Sequence, residues 1–343
     1  MAKSLKIRCI VTDVTPECMI TDDLKIAVKL LLKDEIVAVP TETVYGLAGN
    51  AFSEKAVRKI YELKQRPFLN PLIVHIALEE MLDVVACQIP EAAFEFAKYF
   101  WPGPLTMVLK KKRIVPDLVT AGNDTVAVRV PSHPLMSELL LKTGFPLAAP
   151  SANMFGHISP TLPGHVKDSF GERSPVILDG GACNRGLEST IIGFDGNIPV
   201  IYRLGAITED ELRCVGPAVK LIKNFGKKPL APGMSPKHYA PRTRTVLTDD
   251  IAKVIKREQS SRIGILSYSK SYYSGVQSVE VLSESGELQE AARNLYSALH
   301  RLDAAGLDLI IAEFVPDHGL GRAINDRLRR AVADTVGIGG NVK

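Results

Sequence analysis

The span from Ile36 to His75 leaves few folds open, because it reads as strand, polar turn, helix and strand in close succession. Ile36-Val37-Ala38-Val39 is a short apolar run of the kind that makes a buried strand, and Pro40 ends it because proline cannot donate to a ladder. Thr41 to Asn50 is polar and glycine-bearing and is expected as a turn at that strand's carboxyl end, where ligands of open α/β sheets sit. Ser53 is placed to cap a helix with an apolar stripe of Ala56, Val57, Ile60 and Leu63. Lys64 and Arg66 close that helix, Pro67 stops it, and Pro71 to His75 is the next strand. Hydroxyls in a turn and cations at a helix end are each ordinary. Thr41, Glu42, Thr43, Lys64, Arg66, Asn70 and His75 flanking the same two strand ends make a binding site the better reading.

Short strands and helices interleave onward to Arg203, which argues for an α/β or α+β sheet. Thr125 to Val130 is a β-branched strand in which Arg129 alternates to the face opposite Val126, Val128 and Val130, so it is expected to meet a pocket. Pro146 to Pro150 is a strand opening onto Ser151-Ala152-Asn153, and Glu188-Ser189-Thr190 leads into another. Met154 to Val166 reads as loop, with His157 and His165 as surface polar residues. Prolines and glycines collect between Leu212 and Thr245. From Cys214 to Thr248 there are seven cations (Lys220, Lys223, Lys227, Lys228, Lys237, Arg242, Arg244) and no acidic residue. The expected division is a first domain at 1–212, a basic Pro/Gly-rich linker at 213–244 and a small βαβ domain at 245–343.

The bulk properties fit two soluble globular domains: 343 residues, 46% hydrophobic, 23% charged, net charge +4. Five scattered cysteines without C-x-x-C spacing point to a reducing compartment and away from a disulfide framework or zinc site. No run approaches 18 apolar residues and the first residues lack a secretory apolar core, so a cytoplasmic protein with no membrane association is expected. No Walker-type loop, H-E-x-x-H or G-x-S-x-G occurs. What the sequence does offer is cations and hydroxyls at successive strand ends: Lys64, Arg66, Arg129, Ser151, Asn153, Ser189, Thr190 and Arg203. Guanidinium forks and ammonium charges suit phosphate oxygens, and no nucleophile with an adjacent base is visible. That favours catalysis by positioning and electrostatics.

PTETVYGL followed by KQRPFLNPLIVH resembles the YrdC-like family of threonylcarbamoyl-adenylate synthases. WPGPLTMVL, VAVRVPSHP, PLAAPSAN, ILDGGACNRGLESTII and YRLGAIT follow in the family's order, and GMSPKHYAP with a further domain resembles its longer, two-domain form. The resemblance implies an α+β twisted-sheet YrdC-like domain with a smaller Rossmann-like α/β accessory domain. It implies conversion of L-threonine, bicarbonate and ATP to threonylcarbamoyl-AMP and pyrophosphate, with Mg²⁺ carried by the nucleotide. The product would feed N6-threonylcarbamoyladenosine formation in tRNA, with downstream tRNA-modification proteins as partners and a weak RNA contact through the basic segment.

Residue by residue, the resemblance gives threonine binding to Thr43, His75, Arg129, Ser151 and Ser189. It gives ATP binding to Lys64, Arg66, Asn70, Thr125, Asn153, Thr161 and Arg203, with His238 and Tyr239 closing from the linker; Lys64 and Arg66 carry the catalytic charge and no residue is a metal ligand. His75, with an ordinary imidazole pKa of about 6.5, is also expected to help deprotonate the amine. Phe155 stands where the family pattern has a small polar residue, and Ser235 where it has a cation. The alternative reading is a double-stranded-RNA-binding or ligand-binding regulatory protein of the same fold. Only 6% aromatics and no interleaved basic stripe speak against a single-strand platform.

Overall fold

The computed structural model describes residues 19–216, 219–221, 231, 233, 238–258, 262–271 and 273–332. The cations at 223, 227, 228 and 237, and Ser235, lie outside the described residues. A mixed, eleven-stranded sheet runs in the order Ile20–Thr21, Val176–Leu178, Val37–Val39, Gly46–Asn50, Leu147–Ala148, Ile73–His75, Thr125–Arg129, Leu105–Lys110, Thr190–Asp195, Ile198–Arg203 and Lys220–Leu221. A second, four-stranded sheet is all parallel, in the order Thr245–Thr248, Leu309–Glu313, Ile263–Ser267, Ser278–Val281. The large twisted α/β sheet and the smaller parallel-sheet domain agree with the fold read from the sequence.

Side-chain alternation decides which helices cover which face. Val37 and Val39 pack with helices Leu24–Leu31 and Pro134–Thr143, while Ala38 between them packs with Val57 and Ile60 of helix Glu54–Lys64. Burying Val37, Val39, Val57 and Ile60 stabilises by about 1.5–3 kcal/mol each relative to exposure. Ser53 caps helix Glu54–Lys64 by accepting from Ala56 N at 3.3 Å, and Gln65 ends it in the left-handed region at φ 50°. The buried stripe is Ala56, Val57, Ile60, Tyr61 and Lys64, so the helix's last residue points its ammonium inward rather than to solvent.

Three expectations are corrected. Gly46–Asn50 is not part of the polar turn but a strand antiparallel to Val37–Val39, leaving only Thr41 to Tyr45 as the connection. Its glycines and alanine look like turn residues because the strand is packed too tightly for larger ones; a Cβ on Gly49 would meet Ile60, Ile36 and Ala56 at 3.2–3.4 Å. The expected loop from Met154 to Val166 ends in helix Pro163–Phe170, which begins with proline at its first turn, where the missing donor costs nothing.

His157 and His165 are not plain surface residues either. The His165 ring stacks on His300 of the second domain at 3.9 Å between centroids, and both lie half-buried between the domains with His157 nearby. Burial, then the charges of His300 and Arg301, pushes the His165 pKa down to about 3. An imidazole neutral when folded and protonated when unfolded makes stability fall as pH drops from about 6.5 towards 3. His165→Gln should therefore flatten the acid limb of a denaturation series between pH 4 and 6, by up to about 1.4 kcal/mol per pH unit. An unchanged slope would contradict the burial of that ring.

The two sheets also share apolar packing. Val44, Ile158 and Leu187 of the first domain join Tyr239, Leu295, Tyr296, Ile324 and Leu328 in one buried cluster.

Candidate active site

The strand ends gather the polar residues. Ile73–His75 and Thr125–Arg129 are parallel neighbours in a register that sets His75 beside Arg129. Gly46 bridges to Ser151 just beyond strand Leu147–Ala148, Ser189 immediately precedes strand Thr190–Asp195, and Arg203 ends strand Ile198–Arg203. Thr43, Arg66, His75, Arg129, Ser151, Ser189 and Arg203 line one cleft, with Gly233, His238 and Tyr239 on its other side. The alternation argument for Arg129 is thus met, since its side chain is turned into the cleft and buried.

Arg129 donates from Nε to Gly103 O at 3.1 Å and from Nη1 to Thr43 Oγ1 at 3.0 Å. Its Nη2 approaches Glu42 Oε1 to 2.5 Å, a charge contact off the hydrogen-bond direction. Thr43 Oγ1 in turn shares a 2.8 Å hydrogen bond with Thr41 Oγ1, whose hydroxyl donates to Val44 O at 2.6 Å. The Thr-Glu-Thr turn is therefore a rigid bracket for one guanidinium.

Arg203 donates from Nε and Nη2 to Ser189 O at 3.2 and 2.8 Å, and from Nη2 to Ser189 Oγ at 3.1 Å. Ser189 Oγ also shares a 2.7 Å hydrogen bond with Thr106 Oγ1. Gly205 lets this turn close: a Cβ there would come within 2.4 Å of Glu188 O and 2.5 Å of Ser189 C. Gly205→Ala must push the Glu188–Ser189 turn outward. It is expected to lower stability by about 1–3 kcal/mol and to weaken ligand binding in the cleft, measured by thermal unfolding and by calorimetric titration. A variant indistinguishable from the parent in both would refute the close approach.

Lys64 and Arg66 reach the site differently. Arg66 lines the cleft, anchored from Nε to Asn70 O at 3.1 Å and from Nη2 to Pro71 O at 2.8 Å. Burial pulls its pKa down to about 10. Lys64 lies behind the cleft wall and donates to the backbone carbonyls of Ser151, at 2.5 Å, and Asn153. Burial, followed by repulsion from Arg66, holds its pKa well below that of a free lysine.

Asn70, Thr125, Asn153 and Thr161 are not in the cleft lining. Asn70 holds Arg66 through its carbonyl, and Asn153 donates from Nδ2 to Met154 O and His157 O, both at 2.9 Å. Thr125 begins the strand that Arg129 ends, four residues or ~13 Å away. Thr161 shares a 2.9 Å hydrogen bond with Ser297 Oγ of the second domain.

The expectation that His75 acts as a base is corrected. Burial first, and the Arg129 charge second, lower its pKa to about 3. A neutral imidazole that weakly basic is poorly matched to an amine's proton, and its chemistry is that of a hydrogen-bonding wall.

Glu188 is a residue the sequence reading did not single out for the site. Glu188 lines the cleft, yet its carboxylate accepts from Ser159 Oγ at 2.6 Å, from Tyr296 Oη at 2.9 Å and from Arg327 Nε at 2.9 Å. Burial would raise its pKa, but Arg327, Arg203 and these hydrogen bonds outweigh it and hold it at about 2.

Buried polar atoms are normally satisfied within the protein. Among the described residues, nine buried side-chain polar atoms lack a hydrogen-bond partner: His75 Nδ1, Arg129 Nη2, His238 Nδ1 and Tyr239 Oη belong to cleft residues, and the other five belong to Glu42 (both carboxylate oxygens), Thr125, His133 and Asn153 outside the lining. The His75, His238 and Tyr239 atoms give the cleft wall groups that a polar ligand can engage.

A wound α/β sheet with Arg129 and Arg203 at its strand ends and Arg66 just past a helix end, gathered around one cleft and packed beside a second parallel-sheet domain, defines an anion-handling α/β enzyme. The family model Sua5_yciO_yrdC, described as telomere recombination, matches residues 29–205, and the model of the threonylcarbamoyl-AMP synthase C-terminal domain matches residues 207–333. The threonylcarbamoyl-AMP synthase of Pyrococcus abyssi is 41% identical over 322 residues, covering 90% of this chain and 93% of that protein. The enzyme of the same name from Bacillus subtilis is 42% identical over 339 residues, covering 94% and 97%. The crystal structure of P. abyssi Sua5 complexed with L-threonine superposes with a TM-score of 0.84 at 40% identity, covering 90% of this chain and 94% of that one. The chain belongs to the threonylcarbamoyl-AMP synthase family, in its two-domain form.

Proposed function

We propose that the chain joins L-threonine, bicarbonate and ATP into threonylcarbamoyl-AMP, releasing pyrophosphate and water. The product is an activated carbamoyl donor for the modification of adenosine in tRNA, so a transfer protein acting on tRNA is the expected downstream partner. The observation that carries the reading is the meeting of Arg66, Ser151 and Arg203 in one cleft with the register-paired His75 and Arg129.

The threonine carboxylate would be gripped by Arg129, with Thr43, His75, Ser151 and Ser189 around the rest of the amino acid. Its amine forms a bond to the carbon of CO₂ as one C=O π bond opens and a proton is lost, or to that of bicarbonate as a C–O bond breaks and water leaves; either way a carbamate results. A carbamate oxygen then forms a bond to the α-phosphorus while the bond to pyrophosphate breaks. Charge spreads over the phosphoryl oxygens in that step, and preorganised cations in a water-poor site are its main stabilisers. Arg66 and Arg203 supply them directly, with Tyr239 and His238 closing from the linker. Lys64 acts one layer back by fixing the Ser151–Asn153 backbone, and incoming triphosphate would raise its depressed pKa. Asn70, Thr125, Asn153 and Thr161 would shape the nucleotide side from behind the cleft wall. Glu42 and Glu188 are already engaged by Arg129 and Arg327, so Mg²⁺ enters as part of the nucleotide substrate.

The domain division that fits this reading keeps 1–212 as the catalytic unit, 213–244 as the closing linker and 245–343 as the accessory unit. Among the described residues no helix is long and apolar enough to cross a membrane; the proposed working place is the cytoplasm. Pyrophosphate release measured with threonine, bicarbonate or ATP omitted in turn tests the reaction. Release that does not depend on threonine would overturn it, and RNA binding without turnover would favour the regulatory alternative.

A further inference from the structure

Glu188 sits at the cleft, but its carboxylate is held from the other domain. Tyr296 comes from helix Leu288–Ala304 and Arg327 from helix Leu320–Ala331; both are fully buried. Arg327 also donates from Nη2 to Leu204 O at 2.7 Å, next to Arg203, and its guanidinium lies 4.9 Å from the centre of the Tyr239 ring. One turn on, Arg330 donates to Gly233 O and accepts from His238 N at 3.4 Å through its carbonyl. Tyr239 is held with φ at 69°, a costly conformation for a non-glycine residue, while its ring stacks with Tyr296 at 5.8 Å. The same loop of the first domain touches helix Leu288–Ala304 at Gly186, where a Cβ would come within 2.4 Å of Arg293 Cα.

We propose that Arg327 and Tyr296 are positioning residues for the reaction: through Glu188 and the linker they form a clasp by which the C-terminal domain holds the cleft in its ligand-binding shape. The inference rests on the adenylation reading for its substrates, but its geometry is independent of it. Neither residue reaches the reacting atoms, so the clasp acts on the population of the binding-competent cleft and not on the chemical step. Apparent affinity falls by the fraction of molecules in the competent state, while the rate at saturation is preserved.

The test uses the full chain. In Arg327→Met, KM for ATP and for threonine should rise tenfold or more, with kcat at saturation within about twofold. Trypsin cleavage between Cys214 and Arg244 should be faster in the variant than in the parent. Arg327→Lys, which keeps the charge but not the fork to Glu188 and Leu204, should recover only part of the affinity. If Arg327→Met fails to fold, Tyr296→Phe carries the test: it removes one hydroxyl from Glu188 and should raise both KM values in the same direction by a few-fold. Parent KM values with a parental cleavage pattern, or a fall in kcat at unchanged KM, would overturn the proposal. If the parent shows no threonine-dependent pyrophosphate release, the functional reading fails by itself. ATP binding by calorimetry and the cleavage pattern would then decide the clasp on their own.

Discussion

Arg66→Ala is expected to lower kcat/KM for pyrophosphate release by about 10²–10³, equivalent to roughly 3–4 kcal/mol of transition-state stabilisation. The side chain is fixed before any ligand arrives, by the Asn70 and Pro71 carbonyls on one side and the Phe155 ring on the other, with 5.6 Å between guanidinium carbon and ring centre. A cation held in place by its surroundings does not have to reorganise when charge develops, which is where such residues gain their effect. Burial already pulls the guanidinium below its ordinary pKa, so an anion that restores its preference for charge gains correspondingly. Arg66→Lys should fall between the two, because an ammonium cannot hold both carbonyls and present a fork to phosphate. The Ala variant leaves two carbonyls short of a donor, at a stability cost of about 1–3 kcal/mol, so activity is compared at a temperature where both proteins are folded. A folded Ala variant working at the parent's rate would remove Arg66 from the mechanism.

Phe155 shows how a departure in the sequence acquires meaning in three dimensions. Read alone, a phenylalanine where the family pattern has a small polar residue only weakens the match. In the fold its ring sits between Arg66 and His238, 5.9 Å from the latter and edge-on to it. It thus joins the cation of the cleft to the closing linker by packing.

What could be read in advance was local or periodic. Ser53 as a cap, Arg129 on the face opposite its valines, and the strand ends as the site's address all follow from spacing along one element. What could not be read depended on partners far away in the chain. Glu188 is 108 residues from Tyr296 and 139 from Arg327, so nothing near it in sequence marks it as the joint between domains. Lys64 is an intermediate case. Its place on the buried stripe of its helix is legible once Ile60 and Tyr61 are seen as the stripe's previous turn. That its ammonium ends on the carbonyls of Ser151 and Asn153, rather than in the cleft, follows only from the fold. His75 illustrates the remaining kind of failure: its position was legible, but its basicity depends on burial and on the neighbouring Arg129.

The largest effect on stability is expected from Arg129→Met. Arg129 and Glu42 are both buried, with side chains 4% and 5% exposed and 2.5 Å between Nη2 and Oε1. Removing the guanidinium strands a carboxylate where water cannot reach it, at a cost of roughly 3–5 kcal/mol. Methionine fills most of the volume, so the loss reads the charge and not a cavity. Glu42→Gln combined with Arg129→Met takes away both charges and should return most of the stability, since a buried pair contributes little net once neither ion is left alone. Threonine affinity separates the structural from the functional role. It should be lost in the single and the double variant alike, because neither retains a cation for the amino acid's carboxylate. Urea denaturation at pH 7 with threonine titration checks both. A double variant that regains threonine binding along with its stability would show that Arg129 braces the Thr41–Thr43 turn and does not hold the substrate.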